Sequence, residues 1–208
     1  MNDIKFGSAH SDEMIAQRYF YGEVGKSALI NKLGITDQSA LDRAEALFVN
    51  HALYHGLSAQ AKTLSAQGLQ AMHKELFGEL YEWAGSFRDY STGRGLPFCR
   101  PEFIAKELDK LYQHLNDNLH QNLSKSRFVQ LSAKFIGELN AIHPFIDGNG
   151  RTQRESLLII TQTTGFQITL NAHTTTYLSQ EKWYAAAEES HYCATYHGFE
   201  EIIDHIIK

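Results

Sequence analysis

Between Ser126 and Phe145, in the stretch SRFVQLSAKFIGELNAIHPF, apolar residues recur three and four positions apart. Phe128, Leu131, Phe135, Leu139 and Ile142 thereby share one side of a helix. Pro144 disfavours helical geometry at the residue before it, so this helix is expected to stop at His143. A second helix is predicted from about Gly150 through RTQRESLLIITQTT to Gly165, its apolar run long enough to form the buried centre of a bundle. Upstream, SALDRAEALFVNHAL sets Leu41, Ala44, Leu47, Phe48 and Ala52 on one stripe, with Ser39 a candidate N-cap. LSAQGLQAMHKELFGELYEWAG does the same with Leu69, Met72, Leu76, Leu80 and Trp83, and Gly85 is placed to end it. SQEKWYAAAEESHY and GFEEIIDHIIK read as two shorter helices, and Ile202, Ile203, Ile206 and Ile207 need burial on the same core. Residues 1–18 read as a mobile start.

The helical period fails between Gly85 and Glu102. There, aromatic and hydroxyl residues flank Gly93-Arg94-Gly95, the pattern of a hairpin-like loop. With only three prolines and no internal repeat or linker, the rest reads as an all-α bundle.

Composition narrows the class. A formal net charge of -5 argues against a nucleic-acid partner, so any phosphate affinity must be local. Cys99 and Cys193 are the only cysteines and form no paired pattern, which suits a reducing compartment. The start MNDIKFGSAHSDEM lacks the basic and apolar regions of a signal peptide, and no apolar run approaches membrane-spanning length. A cytoplasmic protein without membrane or nucleic-acid partners is expected. His51 with His55, and His191 with Cys193 and His197, give no complete four-ligand zinc spacing.

One stretch, HPFIDGNGRTQR at 143–154, concentrates chemistry. A helix N-terminus already carries partial positive charge, yet this one opens with Arg151 and Arg154 on one side. An anion above it resolves the conflict, and Gly148-Asn149-Gly150 leading into a helix makes a cradle for phosphate. Asp147 would repel phosphate unless a hard divalent cation such as Mg²⁺ bridges the two. His143, at the end of the preceding helix, can take a proton from an incoming hydroxyl near neutral pH. Together these parts fit transfer from a nucleoside triphosphate. The plainer alternative is an ordinary Asp-Gly turn, a structural histidine and a surface arginine pair.

This stretch resembles the signature of the Fic (filamentation induced by cAMP) domain family, HxFx(D/E)GNGRxxR. His143, Phe145, Asp147, Gly148, Asn149, Gly150, Arg151 and Arg154 all match it. The resemblance extends from about Ser65 to Ile203, with LYEWAG and the loop before PFC, while NKLGITD is similar to the N-terminal part of stand-alone members. It implies an all-α Fic-type bundle with a short β-hairpin flap: residues 1–60 an N-terminal helical extension, 61–208 the Fic domain with C-terminal helices. The implied activity is transfer of AMP from ATP to a Tyr, Thr or Ser hydroxyl of a target protein. His143 would be the base and Asp147 the Mg²⁺ ligand. Gly148, Asn149 and Gly150 would bind phosphate oxygens, and Arg151 and Arg154 the β- and γ-phosphates. The flap, Arg88 to Phe98, with Ser91, Thr92, Gly93, Arg94, Gly95 and Leu96 at its target-binding part, would bind the target by main-chain strand pairing.

Two other functions stay open at this point: transfer of another phosphate-containing group, which the intact GNGR disfavours, and nucleotide binding without catalysis, which His143 disfavours. Many family members are restrained by a helix in which Ser or Thr precedes a glutamate by four positions. No glutamate of this chain has Ser or Thr four positions earlier, and the chain ends at Lys208 soon after its last helix. The resemblance to stand-alone toxins therefore implies a small antitoxin protein that supplies the inhibitory glutamate to Arg154. A divergent internal element such as Glu13 or Glu23 is the alternative.

Overall fold

The computed structural model describes residues 10–168 and 179–208. These form two compact units, one of residues up to 105 together with Pro144–Gly148, the other of Lys106–His143 and Asn149–Lys208.

The first unit holds three helices: α1 His10–Gln17, α2 Gln38–His55 and α3 Ala66–Phe77. α2 is capped by Asp37, whose Oδ1 accepts from the Ala40 N–H at 2.8 Å, and not by Ser39. Its buried line is Leu41, Glu45 and Val49, whereas Leu47 is exposed. The expected stripe is thus rotated, because a polar residue occupies a core position: Glu45 is buried and accepts from the Tyr81 hydroxyl at 2.7 Å. Ser65 caps α3 by accepting from the Gly68 N–H, a bond of the kind that contributes about 1 kcal/mol. α3 stops at Gly78, earlier than the expected Gly85, and Leu80 and Tyr81 are buried through turns instead of further helix.

A second difference lies at the N-terminal end. Residues 1–9 fall outside the described residues, but 10–17 are helical, and Ala16 is fully buried. The strands β1 Gly93–Arg94 and β2 Leu96–Pro97 form the expected hairpin, pairing Gly93 with Pro97 and Arg94 with Leu96. Gly95, at φ 72, makes the reversal, a conformation in which a Cβ is costly.

The second unit contains α4 Ile104–Asn118, whose first two residues belong to the first unit, then α5 Lys125–Ile142, α6 Asn149–Thr164, α7 Gln180–Cys193 and α8 His197–Ile206. α5 is central and packs on α6, α7 and α8. Phe128, Phe135, Leu139 and Ile142 are buried as the spacing requires, and Tyr112 of α4 meets Phe135 edge-on with ring centroids 5.2 Å apart. Leu157, Ile159 and Ile160 bury the centre of α6. Ile202, Ile203, Ile206 and Ile207 are all buried, and Lys208 exchanges two backbone hydrogen bonds with Gln167. Among the described residues no helix is long and apolar enough to cross a membrane.

Candidate active site

The signature runs through both units, Pro144–Gly148 in the first and His143 with the residues from Asn149 in the second. His73 of α3 holds the Pro144–Gly148 loop. The Gly85 N–H donates to His73 Nδ1 at 2.9 Å, which fixes the proton on Nε2, and Nε2–H donates to the Asp147 carbonyl at 2.9 Å. The same ring stacks on Phe145 with centroids 3.8 Å apart and is itself fully buried. Phe145, buried and in contact with His73 and Phe87, anchors the loop as a hydrophobic pin. Gly148 sits at φ 79, and a Cβ there would lie 2.6 Å from two carbons of the Phe77 ring. This glycine makes the turn. Gly150, by contrast, is helical, and a Cβ there would meet nothing within 4 Å.

Asp147 is exposed, with Oδ1 accepting from the Gly148 N–H at 2.7 Å. An exposed, single hard-oxygen donor of this kind fits a magnesium ion that keeps most of its waters.

The flap is fastened at its base by Arg88, its expected first residue, whose side chain acts as an anchor. Its backbone N–H donates to the Pro144 carbonyl at 2.9 Å, coupling the flap to the signature loop. Its guanidinium, 2 % exposed, donates to the Tyr90 carbonyl at 2.8 Å and to the Cys99 carbonyl, clasping both ends of the flap. Burial lowers its pKa to about 10, opposed by the nearby Tyr90, Cys99 and Asp12. Burial pushes the Tyr90 phenol far above its usual value; Arg88 pulls it back, while Tyr19, Asp147 and Asp89 push it further up.

The N-terminal segment reaches the same place. Asp12 of α1 accepts from the Ser91 N–H at 2.9 Å, Arg18 pairs with Asp89 at 2.6 Å, and the Tyr19 hydroxyl donates to Asp89 at 3.0 Å. The Ser91 N–H, expected to serve strand addition, is therefore already engaged. Within the hairpin the Phe98 N–H donates to the Thr92 carbonyl at 2.9 Å, and a Cβ on Gly93 would lie 2.3 Å from the Leu96 carbonyl oxygen. Asp12→Ala should expose the Ser91 amide, read as faster hydrogen exchange at Ser91 with unchanged exchange in α3. Unchanged protection at Ser91 would mean that α1 does not hold the flap.

In the second unit, α5 ends at Ile142, and His143 caps it with φ 47 and ψ 62, its N–H donating to the Leu139 carbonyl at 3.0 Å. A non-glycine residue in the left-handed region stores about 1–3 kcal/mol, and such strain gathers at functional sites. The imidazole is half-buried, with Nδ1 inside. α6 begins at Asn149 and carries Gly150, Arg151 and Arg154 in its first two turns, without an acidic residue in the first. The partial positive charge of its N-terminus therefore adds to that of the arginines. Burial lowers the pKa of Arg154, as does Arg151, while Tyr184 and Glu155 raise it.

Known proteins resemble this chain in sequence and in fold. The Fic/DOC family model matches residues 63–161. A probable protein adenylyltransferase of Sinorhizobium fredii, y4lH, is 37% identical over 147 residues, 69% of this chain and 76% of that protein. Among solved structures, the Bartonella tribocorum effector BepC with bound AMPPNP superposes with a TM-score of 0.79 at 27% identity, over 93% of this chain and 98% of that one. The N-terminal Fic domain of a Bartonella quintana filamentation protein with bound ADP gives 0.80 at 28%, covering 93% and 96%. On its signature, its fold and these likenesses, the chain belongs to the Fic/DOC family.

Proposed function

We propose that this chain is a protein adenylyltransferase, moving AMP from ATP to a Tyr, Thr or Ser hydroxyl of a target protein. The observation that carries this reading is the uninterrupted run from His143 to Arg154, delivered by α5 and by an α6 whose first turn has no acidic residue. The adenylyltransferase name of the Sinorhizobium relative and the nucleotides bound in the two Bartonella structures support it.

In the reaction, the target hydroxyl oxygen bonds to the α-phosphorus as the bond to the β-phosphate oxygen breaks. Pyrophosphate leaves, and the hydroxyl proton passes to the His143 imidazole. The backbone amides at Gly148, Asn149 and Gly150 receive phosphate oxygens, the Gly148 N–H exchanging its bond to Asp147 Oδ1 for one to phosphate, with Arg151 and Arg154 on the β- and γ-phosphates. Asp147 is the residue to hold Mg²⁺, which supplies charge neutralisation on the phosphates when bound. The flap from Ser91 to Leu96 docks the target segment beside its strands. The start of the family match at residue 63 supports an N-terminal extension over 1–60 ahead of the Fic domain.

Control by a separate small antitoxin that brings a glutamate to Arg154 completes the reading, with the chain as the toxin of a cytoplasmic pair. It is supported by the lack of a Ser or Thr four positions before any glutamate, and by the ion pair that Glu23 makes with Lys26 at 2.6 Å. The isolated chain should then modify protein with ATP and Mg²⁺. Silence relieved by removing residues 1–25 would place the restraint inside the chain instead.

Titration calorimetry tests the nucleotide site. Arg154→Ala should weaken ATP binding about tenfold or more and ADP binding much less, as expected for a charge-assisted bond to the γ-phosphate. Asp147→Ala should raise the Mg²⁺ concentration needed for half-maximal transfer; an unchanged requirement would remove Asp147 from the metal site.

A further inference from the structure

A half-buried arginine needs something to offset its desolvation. Among the described residues no carboxylate forms an ion pair with Arg154, and its Nε is buried without a hydrogen-bond partner. What lies against it is an indole: the guanidinium carbon stands 5.2 Å from the centroid of the Trp183 ring. A carboxylate would have neutralised the arginine and competed with any phosphate. An aromatic face attracts the cation and leaves its full charge available to an anion.

The ring is itself fixed. Trp183, on α7, is 1 % exposed, and its indole N–H donates to Gln153 Oε1 at 3.1 Å. Gln153 is 2 % exposed, and its Nε2 donates to Asn140 Oδ1 at 3.5 Å. Asn140 in turn donates through Nδ2 to the Ala187 carbonyl at 3.0 Å. Phe199 meets the indole edge-on, with centroids 5.1 Å apart. Three helices, α5, α6 and α7, are thus tied by one buried polar chain that terminates in the indole under Arg154. Gln153 occupies one of the two variable positions between the signature arginines, so the signature itself carries the clamp.

We propose that Trp183, locked by Gln153, is a positioning residue that pre-aims Arg154 at the terminal phosphate of ATP. The inference rests on the nucleotide role proposed for Arg154. By holding the guanidinium before the nucleotide arrives, the indole removes the entropy cost of ordering a long side chain on binding.

Titration calorimetry with ATP and with ADP, both with Mg²⁺, tests it on the full chain, with melting temperature as a check on folding. Trp183→Leu should weaken ATP about three- to thirtyfold and leave ADP within about twofold, the range expected when a desolvated cation–π contact is lost. Trp183→Phe, which keeps an aromatic face, should recover most of that loss. In an Arg154→Ala background Trp183→Leu should add nothing. Should Trp183→Leu fail to fold, Gln153→Met takes its place, with an expected loss of about two- to tenfold for ATP alone from the freed indole. A selective Arg154→Ala beside Trp183 or Gln153 variants that leave ATP unaffected, or lower ATP and ADP equally, would overturn the inference while sparing the role of Arg154. Equal losses of ATP and ADP in Arg154→Ala would overturn both.

Discussion

Replacing His143 with alanine should reduce AMP transfer by roughly a hundred- to ten-thousandfold, the contribution of a positioned general base, with ATP affinity almost unchanged. The separation follows from chemistry. In the proposed reaction the imidazole takes the proton of the incoming hydroxyl and has no part in holding the triphosphate. It also follows from placement, since His143 ends α5 whereas the amides and arginines proposed to bind phosphate begin α6. The left-handed backbone at His143 is kept in both variants, and alanine tolerates it no better than histidine, so a folding change would be small beside the kinetic one. Transfer rates from single-turnover assays, set against calorimetric ATP affinity, decide the matter. Full activity in His143→Ala would take the base role away from this residue.

Gly148→Ala should cost about 2–6 kcal/mol of folding stability. Two effects combine: a Cβ in the left-handed region, about 1–3 kcal/mol, and overpacking of a filled core, about as much again. The added methyl would sit 2.6 Å from Phe77 and 3.2 Å from His73 Nε2, and Phe77 is 1 % exposed with no room to retreat. His73 would have to give up its bond to the Asp147 carbonyl, which frees the loop that carries Asp147. Gly150→Ala is the matched control. Its backbone is helical and its surroundings are open, so stability should rise by up to about 1 kcal/mol while nucleotide affinity falls. Urea denaturation of the two variants gives the comparison; equal stabilities would show that the loop is not packed against α3 in this way.

How much of this was readable in the chain depends on whether the cause is local. Pro144 announces the end of α5 one residue ahead, and the stop falls where expected, because a proline constrains its own neighbour. The all-α character and the hairpin around Gly95 follow from spacing and glycine placement in the same way. Where several local signals compete, spacing misleads. Asp37 and Ser39 are both good caps, and only the tertiary fold chooses Asp37. Leu80 and Trp83 continue the apolar period of α3, yet Gly78 ends the helix and turns bury Leu80, since spacing records which residues want burial and not how the backbone delivers them.

The signature residues were legible because their chemistry is compressed into twelve positions. Their supports were not. His73 meets Asp147 across 74 positions, Asp12 meets Ser91 across 79, and the Arg88 N–H reaches the distant Pro144 carbonyl. The one available hint was His73 itself, a titratable residue on the buried side of α3 between Leu69 and Phe77, where a histidine persists only if both ring nitrogens find partners.

The central claim is AMP transfer to protein, and the position of a radiolabel in ATP tests it most directly. Purified chain, Mg²⁺ and a bacterial lysate would be incubated in parallel with ATP labelled on the α- or the γ-phosphate, with His143→Ala as the blank. The account predicts protein-bound label from the α-phosphate alone, absent from the His143→Ala reaction. Label from the γ-phosphate, or none from either in the presence of active chain and Mg²⁺, would contradict it.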